Sequence, residues 1–236
     1  MDIELNPNLD LQQLQQTFAQ SGRLQVPDFL TTDSANYLFR LLEDHQIWRL
    51  TYNDGDQHFE SERSEFMQLA PDAQQRFMNG IFGRARNGFQ YLFNQYYITQ
   101  ALDLGEEPGH PMHQWHTFMN RDSTLEFLRM LTGCAEVQQA DAYASWYEPL
   151  HFLNQHDDQH ASHNRAAALV LNMTPVWDPN WGGQLAFFDQ HGNVEQAFMP
   201  SFNNLSIFRV PQNHAVLQVA PFAGARRTSY LSWLLR

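Results

Sequence analysis

The chain has 236 residues, 14 basic and 26 acidic side chains and a formal net charge of −12, and every basic residue is Arg. The absence of lysine removes Walker-type phosphate loops, kinase-type ATP clamps, Schiff-base enzymes and Ser-Lys hydrolases, all of which need the amine. The acidic balance argues against nucleic acid or an anionic membrane surface as the main partner, and the single cysteine, Cys134, excludes internal disulfides and cysteine-rich zinc sites.

Residues 1–136 read as a mainly helical part of one domain. Leu11, Leu14 and Phe18 recur at helical spacing, as do Leu38, Leu41 and Leu42 after the polar start Thr32-Asp33-Ser34. Pro71 opens a third helix carrying Phe77 and Ile81. The stretch Phe89 to Tyr97 is a strand or an ordered loop; its aromatics line a peptide groove or, more simply, pack in the core. Ser123 and Glu126 form a capping box ahead of Leu125, Leu128 and Leu131, and Gly133 ends that helix.

From residue 137 to 236 the pattern changes to short apolar or alternating runs: Ala140–Tyr147, Phe152–His156, Ala166–Met173, Gln184–Phe188, Glu195–Met199, Leu205–Val210, Ala215–Val219 and Thr228–Leu235. Turn residues such as Gly182-Gly183 and Asn203-Asn204 separate them. Closely spaced short strands of this kind predict a sandwich or jelly roll, here a single α+β domain with helices packed around the β core. No apolar run approaches the roughly 20 residues of a membrane span, and Met1 to Leu5 has neither a basic stretch nor an apolar signal core, so a soluble cytoplasmic protein is expected.

Three features of the β half carry chemistry together. His156 and Asp158 are two apart, which on an extended chain aims both at one face. His214 stands in a turn before a later strand, and Arg227-Thr228-Ser229 opens the last one. Two imidazoles and a carboxylate on one face of a ferrous ion leave three adjacent positions open for a bidentate cosubstrate and dioxygen. A cosubstrate with a distal carboxylate then needs a fixed cation, which the arginine fork provides.

Each piece alone is ordinary: an H-x-D triplet is usually a polar turn, and a lone loop histidine is bland. As an ordered set, residues 140–235 resemble the Fe(II)/2-oxoglutarate-dependent dioxygenases, in particular their prolyl 4-hydroxylase-like branch. The resemblance runs through Tyr147-Glu148-Pro149, His156-Asp157-Asp158, Trp181-Gly182-Gly183-Gln184-Leu185, His214 and Arg227 to Trp233. It implies a double-stranded β-helix core, with His156, Asp158 and His214 as iron ligands. Arg227 then pairs with the distal carboxylate of 2-oxoglutarate, Arg226 being the competing choice. Ser229 adds a hydroxyl donor, and Tyr147 faces the cosubstrate pocket. Two departures stand out: Leu150 replaces a common glycine, and Asn172 replaces a common tyrosine, although its amide can still donate to the cosubstrate. The resemblance implies Fe(II), 2-oxoglutarate and O2, with ascorbate as a stimulant. The expected reaction hydroxylates an unactivated C–H bond with release of succinate and CO2. The substrate it suggests is a prolyl residue of a protein or peptide, with a small molecule as the nearest competitor.

His110, His113 and His116 form a second histidine series, read as surface histidines on a loop around Gly109 and Pro111 rather than as a second metal site. His160 or His163 is a competing partner for His156. The rival readings are a cupin-like metal-binding protein, which normally shows a glutamate soon after its close-set histidines, and a non-catalytic jelly-roll binding module, which would have damaged ligands. A related nucleic-acid demethylase is disfavoured by the −12 charge. Oligomeric state is not legible in the sequence.

Overall fold

The computed structural model describes residues 1–159 and 164–236. The elements run α1 (Leu11–Ser21), β1 (Arg23–Val26), α2 (Thr32–Asp44), β2 (Arg49–Asp54), β3 (Gln57–Glu62), α3 (Arg63–Gln68), α4 (Pro71–Ala85), β4 (Tyr91–Tyr96), α5 (Ile98–Asp103), α6 (His113–Met119) and α7 (Asp122–Thr132). The second half is almost all strand: β5 (Gln139–Ala140), β6 (Tyr143–Tyr147), β7 (Phe152–His156), β8 (Arg165–Asn172), β9 (Leu185–Phe188), β10 (Val194–Phe198), β11 (Asn204–Arg209), β12 (His214–Val216) and β13 (Arg227–Leu235).

Hydrogen bonding follows the path β1-β11-β8-β13-β6-β4-β7-β12-β9-β10, with β2, β3 and β5 attached to its side. The sheet is mostly antiparallel and forms a nearly closed barrel with helices around it, the jelly-roll architecture expected. Residues 1–136 contribute strands as well as helices. β4 bridges β6 and β7, and β2 extends the sheet outward from β4. β3, Gln57–Glu62, carries almost no apolar alternation, so periodicity cannot reveal it. The Asp54-Gly55 turn is the signal that could have, since Gly55 sits at φ +60° as a tight hairpin requires.

Strand β8 shows how the core is layered. Ala167, Leu169 and Leu171 pack outward with Leu38, Leu42, Trp115 and Leu128 of the helices. Ala168 and Val170 pack inward with Leu185, Phe187 and Phe208. Both faces are dry, so the strand reads as a continuous apolar run rather than an alternation. β13 divides the same way: Tyr230 and Leu234 join the helix-side core, while Arg227 and Leu231 line the barrel interior.

Several local expectations are corrected. The Ser123–Glu126 capping box does not cap: α7 begins at Asp122 with Arg121 at the cap position and no side-chain cap bond, though Gly133 does end it at φ +68°. The run Ala140–Tyr147 breaks into β5 and β6 at Asp141-Ala142, and the Asp141 side chain accepts from the Trp233 amide at 2.5 Å. The run Ala215–Val219 contributes only the short β12. Gly182 approaches the Gln218 carbonyl so closely that a Cβ would lie 2.0 Å from that oxygen, which fixes the entry to β9 against the chain leaving β12. Among the described residues no helix is long and apolar enough to cross a membrane.

Candidate metal centre

His156 ends β7 and His214 begins β12, and the two are direct cross-strand partners. Their ring centroids lie 4.1 Å apart. Asp158 joins them by a route the residue spacing does not give. Strand β7 stops at His156, and Asp158 stands beyond it at φ +63°. The expected co-facing of positions two apart on a strand is therefore not the cause: a left-handed turn swings the carboxylate back between the imidazoles. Asp158 Oδ1 lies 3.4 Å from His156 Nε2, and Oδ2 lies 3.5 Å from His214 Nε2. One ligand atom from each of the three residues falls within 4.8 Å of the others, the spacing a single bound ion needs.

The tautomers are set by the backbone. His156 Nδ1 donates to the Asn154 carbonyl at 2.9 Å, and His214 Nδ1 donates to the Gln212 carbonyl at 2.7 Å. With Nδ1 carrying the proton, each Nε2 keeps its lone pair and aims it at the centre. Burial, assisted by the neighbouring His156, lowers His214 to about 4, so it is neutral at physiological pH. Burial opposes ionisation of Asp158, but its contacts with the His156 and His214 imidazoles outweigh it and hold the carboxyl down at about 2. Two imidazole nitrogens and an ionised carboxylate are the donor set a ferrous ion takes.

The two arginines separate cleanly. Arg227 faces the interior, 2% exposed, with its guanidinium 5.1 Å from the Tyr147 ring. Its Nε is buried without a hydrogen-bond partner, and no carboxylate among the described residues pairs with it. A buried cation without a counter-ion is costly, and burial accordingly lowers its pKa. Arg226 points outward, stacks 4.3 Å from the Trp146 ring and pairs with Glu43 at 2.5 Å. Tyr147 is the cross-strand partner of Arg227 and stacks on Phe93. Ser229 and Asn172 also pair across strands, with the Ser229 hydroxyl donating to Asn172 Oδ1 at 3.4 Å. The Asn172 amide already donates to the Asn204 carbonyl and to Ser206 Oγ.

A cavity of about 90 Å³ joins His156, Asp158 and His214 to Tyr147 and Arg227. Outside it opens a groove of about 660 Å³, walled by Phe89, Tyr91, Phe93, Tyr97, Tyr143 and Trp233. The aromatic stretch is divided between two faces: Tyr91 and Phe93 face the groove, and Leu92 and Tyr96 lie in the core. Tyr143 and Arg165 stand at the site without a role assigned from sequence. The alternation Tyr143-Ser145-Tyr147 was the available signal for the first. His110, His113 and His116 lie elsewhere. His113 and His116 belong to α6 rather than a loop, and His113 is buried against Tyr96, not on the surface. His160 and His163 lie outside the described residues.

None of the curated proteins matches this chain in sequence. Residues 142–235 match the family described as the 2OG-Fe(II) oxygenase superfamily. Among solved structures, the chain is similar to a Pseudomonas putida prolyl-4-hydroxylase (20% identity, 96% of this chain and 98% of that one, TM-score 0.59). It is also similar to a Trichoplax adhaerens prolyl hydroxylase solved in complex with a hypoxia inducible factor oxygen degradation domain peptide fragment (14%, 98% and 94%, TM-score 0.61). A third is a Burkholderia pseudomallei oxidoreductase of the 2OG-Fe(II) oxygenase family (12%, 99% and 94%, TM-score 0.59). At these identities the structures establish the shared fold, and the family match adds the chemistry. The match over residues 142–235 is to an oxygenase superfamily that uses Fe(II), 2-oxoglutarate and O2.

Proposed function

We propose that this protein hydroxylates a prolyl residue of a protein or peptide, with His156, Asp158 and His214 holding the iron. Bound there, the ferrous ion and 2-oxoglutarate supply the oxidising chemistry: one oxygen atom of O2 enters the substrate C–H bond, the other enters succinate, and CO2 leaves. The chain's own residues bind, orient and exclude water. The Nδ1 bonds to the Asn154 and Gln212 carbonyls hold both imidazoles aimed, with Nε2 toward the centre. Arg227 takes the distal carboxylate of 2-oxoglutarate, with Tyr147 beside it to donate its hydroxyl. Ser229 and Asn172, bonded to each other, back this pocket on the same inner face. The aromatic groove receives an extended polypeptide, its flat walls suiting a proline ring.

The observation that carries this reading is the pairing, within one small cavity, of a two-histidine, one-carboxylate cluster with a buried arginine that has no counter-ion among the described residues. The peptide choice is supported by the open groove and by the peptide bound to the Trichoplax adhaerens relative. The test is succinate formation from 2-oxoglutarate with Fe(II), ascorbate and O2, beside His156→Ala, followed by mass spectrometry of proline-containing peptides. A gain of about 16 Da on proline that disappears in the variant is expected. Oxygen delivered only to free amino acids or other small molecules would overturn the peptide assignment.

A further inference from the structure

Asp158 reaches the metal centre only because its backbone is left-handed, a conformation a residue with a Cβ rarely adopts and one that the surroundings must enforce. Arg165, the first residue of β8, meets that turn directly. Its Nη1 donates to the Asp158 carbonyl oxygen at 3.1 Å and stands 3.8 Å from Asp158 Oδ1. The guanidinium lies over the Trp233 ring, 3.8 Å from its centroid. Trp233 is held in turn by its amide bond to Asp141 Oδ1. Asp141 is 8% exposed and close enough to Arg165 to feel its charge.

We propose that Arg165 is a positioning residue for the metal centre, fixing the left-handed turn and the carboxylate orientation of Asp158, with Trp233 and Asp141 holding Arg165 in place. The proposal rests on Asp158 being a metal ligand. A cation beside a ligand carboxylate has two opposed effects. It draws charge from the donor oxygen, which weakens the metal bond, and it orders the donor, which strengthens binding. The distances decide between them. The carbonyl contact is a true hydrogen bond, whereas 3.8 Å to Oδ1 is beyond hydrogen-bond range. Ordering therefore dominates, and loss of Arg165 weakens metal binding.

The test uses the metal-free full chain titrated with Co(II), read by its visible ligand-field absorption, with Arg165→Gln, Arg165→Lys and a His156→Ala control. Far-UV circular dichroism without metal establishes that each variant is folded. Removing a group that orients a ligand weakens metal affinity by about 10–100-fold, and this is expected for Arg165→Gln, with shifted absorption bands. Arg165→Lys retains a donor to the Asp158 carbonyl and is expected to recover part of the affinity. Binding within twofold of wild type with unchanged bands in Arg165→Gln would overturn the positioning role. If that variant does not fold, the same result in Arg165→Met, which also lacks the charge and the donor to the Asp158 carbonyl, would do so. Cobalt binding in the wild type that does not depend on His156 would overturn the ligand assignment, and the Arg165 role with it.

Discussion

His156 and His214 at the barrel mouth, and His45, His110 and His113 between α2 and α6, are two aromatic-lined histidine groups of similar density and opposite design. In the first, each Nδ1 donates to a carbonyl and each Nε2 faces an ionised carboxylate. In the second, His45 Nε2, His110 Nδ1 and His113 Nε2 are bonded to backbone groups or to Tyr96, and His45 Nδ1 is buried without a partner. His45 Nε2 donates to the Ile47 carbonyl at 2.7 Å. The Tyr96 hydroxyl donates to Glu107, so His113 Nε2, 2.9 Å from the same oxygen, must be the donor to it. His110 Nδ1 accepts from the Met112 amide. The one nearby carboxylate is thus already engaged. Crowding of histidines in sequence does not bring ring nitrogens to a carboxylate; the pairing of β7 with β12 and the left-handed turn at Asp158 do.

The sharpest way to break that comparison is to substitute one member of each group. His214→Ala or Asp158→Ala should abolish stoichiometric Fe(II) binding and succinate formation, measured by metal analysis and single-turnover assay. His113→Ala should leave both unchanged and lower stability by about 1–3 kcal/mol, because the Tyr96 oxygen loses the donor it accepts from while keeping its bond to Glu107. Metal loss in His113→Ala, or retained metal in Asp158→Ala, would erase the distinction between the groups.

The adjacent arginines sharpen the same point with a smaller effect. Truncating one partner of a buried charged hydrogen-bonded pair costs about 2–5 kcal/mol, so Arg227→Ala should raise the 2-oxoglutarate KM by about 30-fold or more. Arg226 pairs with Glu43 at the surface, where an ion pair contributes about 0–1 kcal/mol. Arg226→Ala should therefore leave the KM within about twofold. The reverse outcome would exchange their roles.

The last strand shows why the site was largely legible in sequence. Arg227 keeps its expected place at the start of the last strand, with Arg226 just outside it, and β7 and β8 fall within a residue of the boundaries that hydrophobic runs predict. What was not legible lacked a local pattern. The Asp158 turn needs a positive φ that no glycine announces. The β2–β3 hairpin pairs polar strands. His113 was hidden because helix α6 is only seven residues long and follows Pro111. Arg165 gains its role from Trp233, a contact between strands far apart in sequence.

Two buried carboxylates close the comparison, and their contrast yields the smallest predicted effect. Asp158 is held down to about 2 by imidazole partners, whereas burial pushes Asp141 up to about 7 despite the Trp233 amide and the charge of Arg165. A carboxyl whose folded pKa lies above its unfolded value near 3.8 binds more protons when folded. Its contribution to stability is complete below about pH 4 and is lost as pH rises through about 7. Asp141→Asn keeps an oxygen for the Trp233 amide but cannot ionise. The metal-free variant should therefore gain in melting temperature relative to wild type between pH 5 and pH 8. His214 and Asp158 titrate alike in both proteins, so their effects cancel in the difference. Parallel melting curves across that range would show that Asp141 ionises in the folded chain as readily as an exposed acid, and that Arg165 compensates its burial in full.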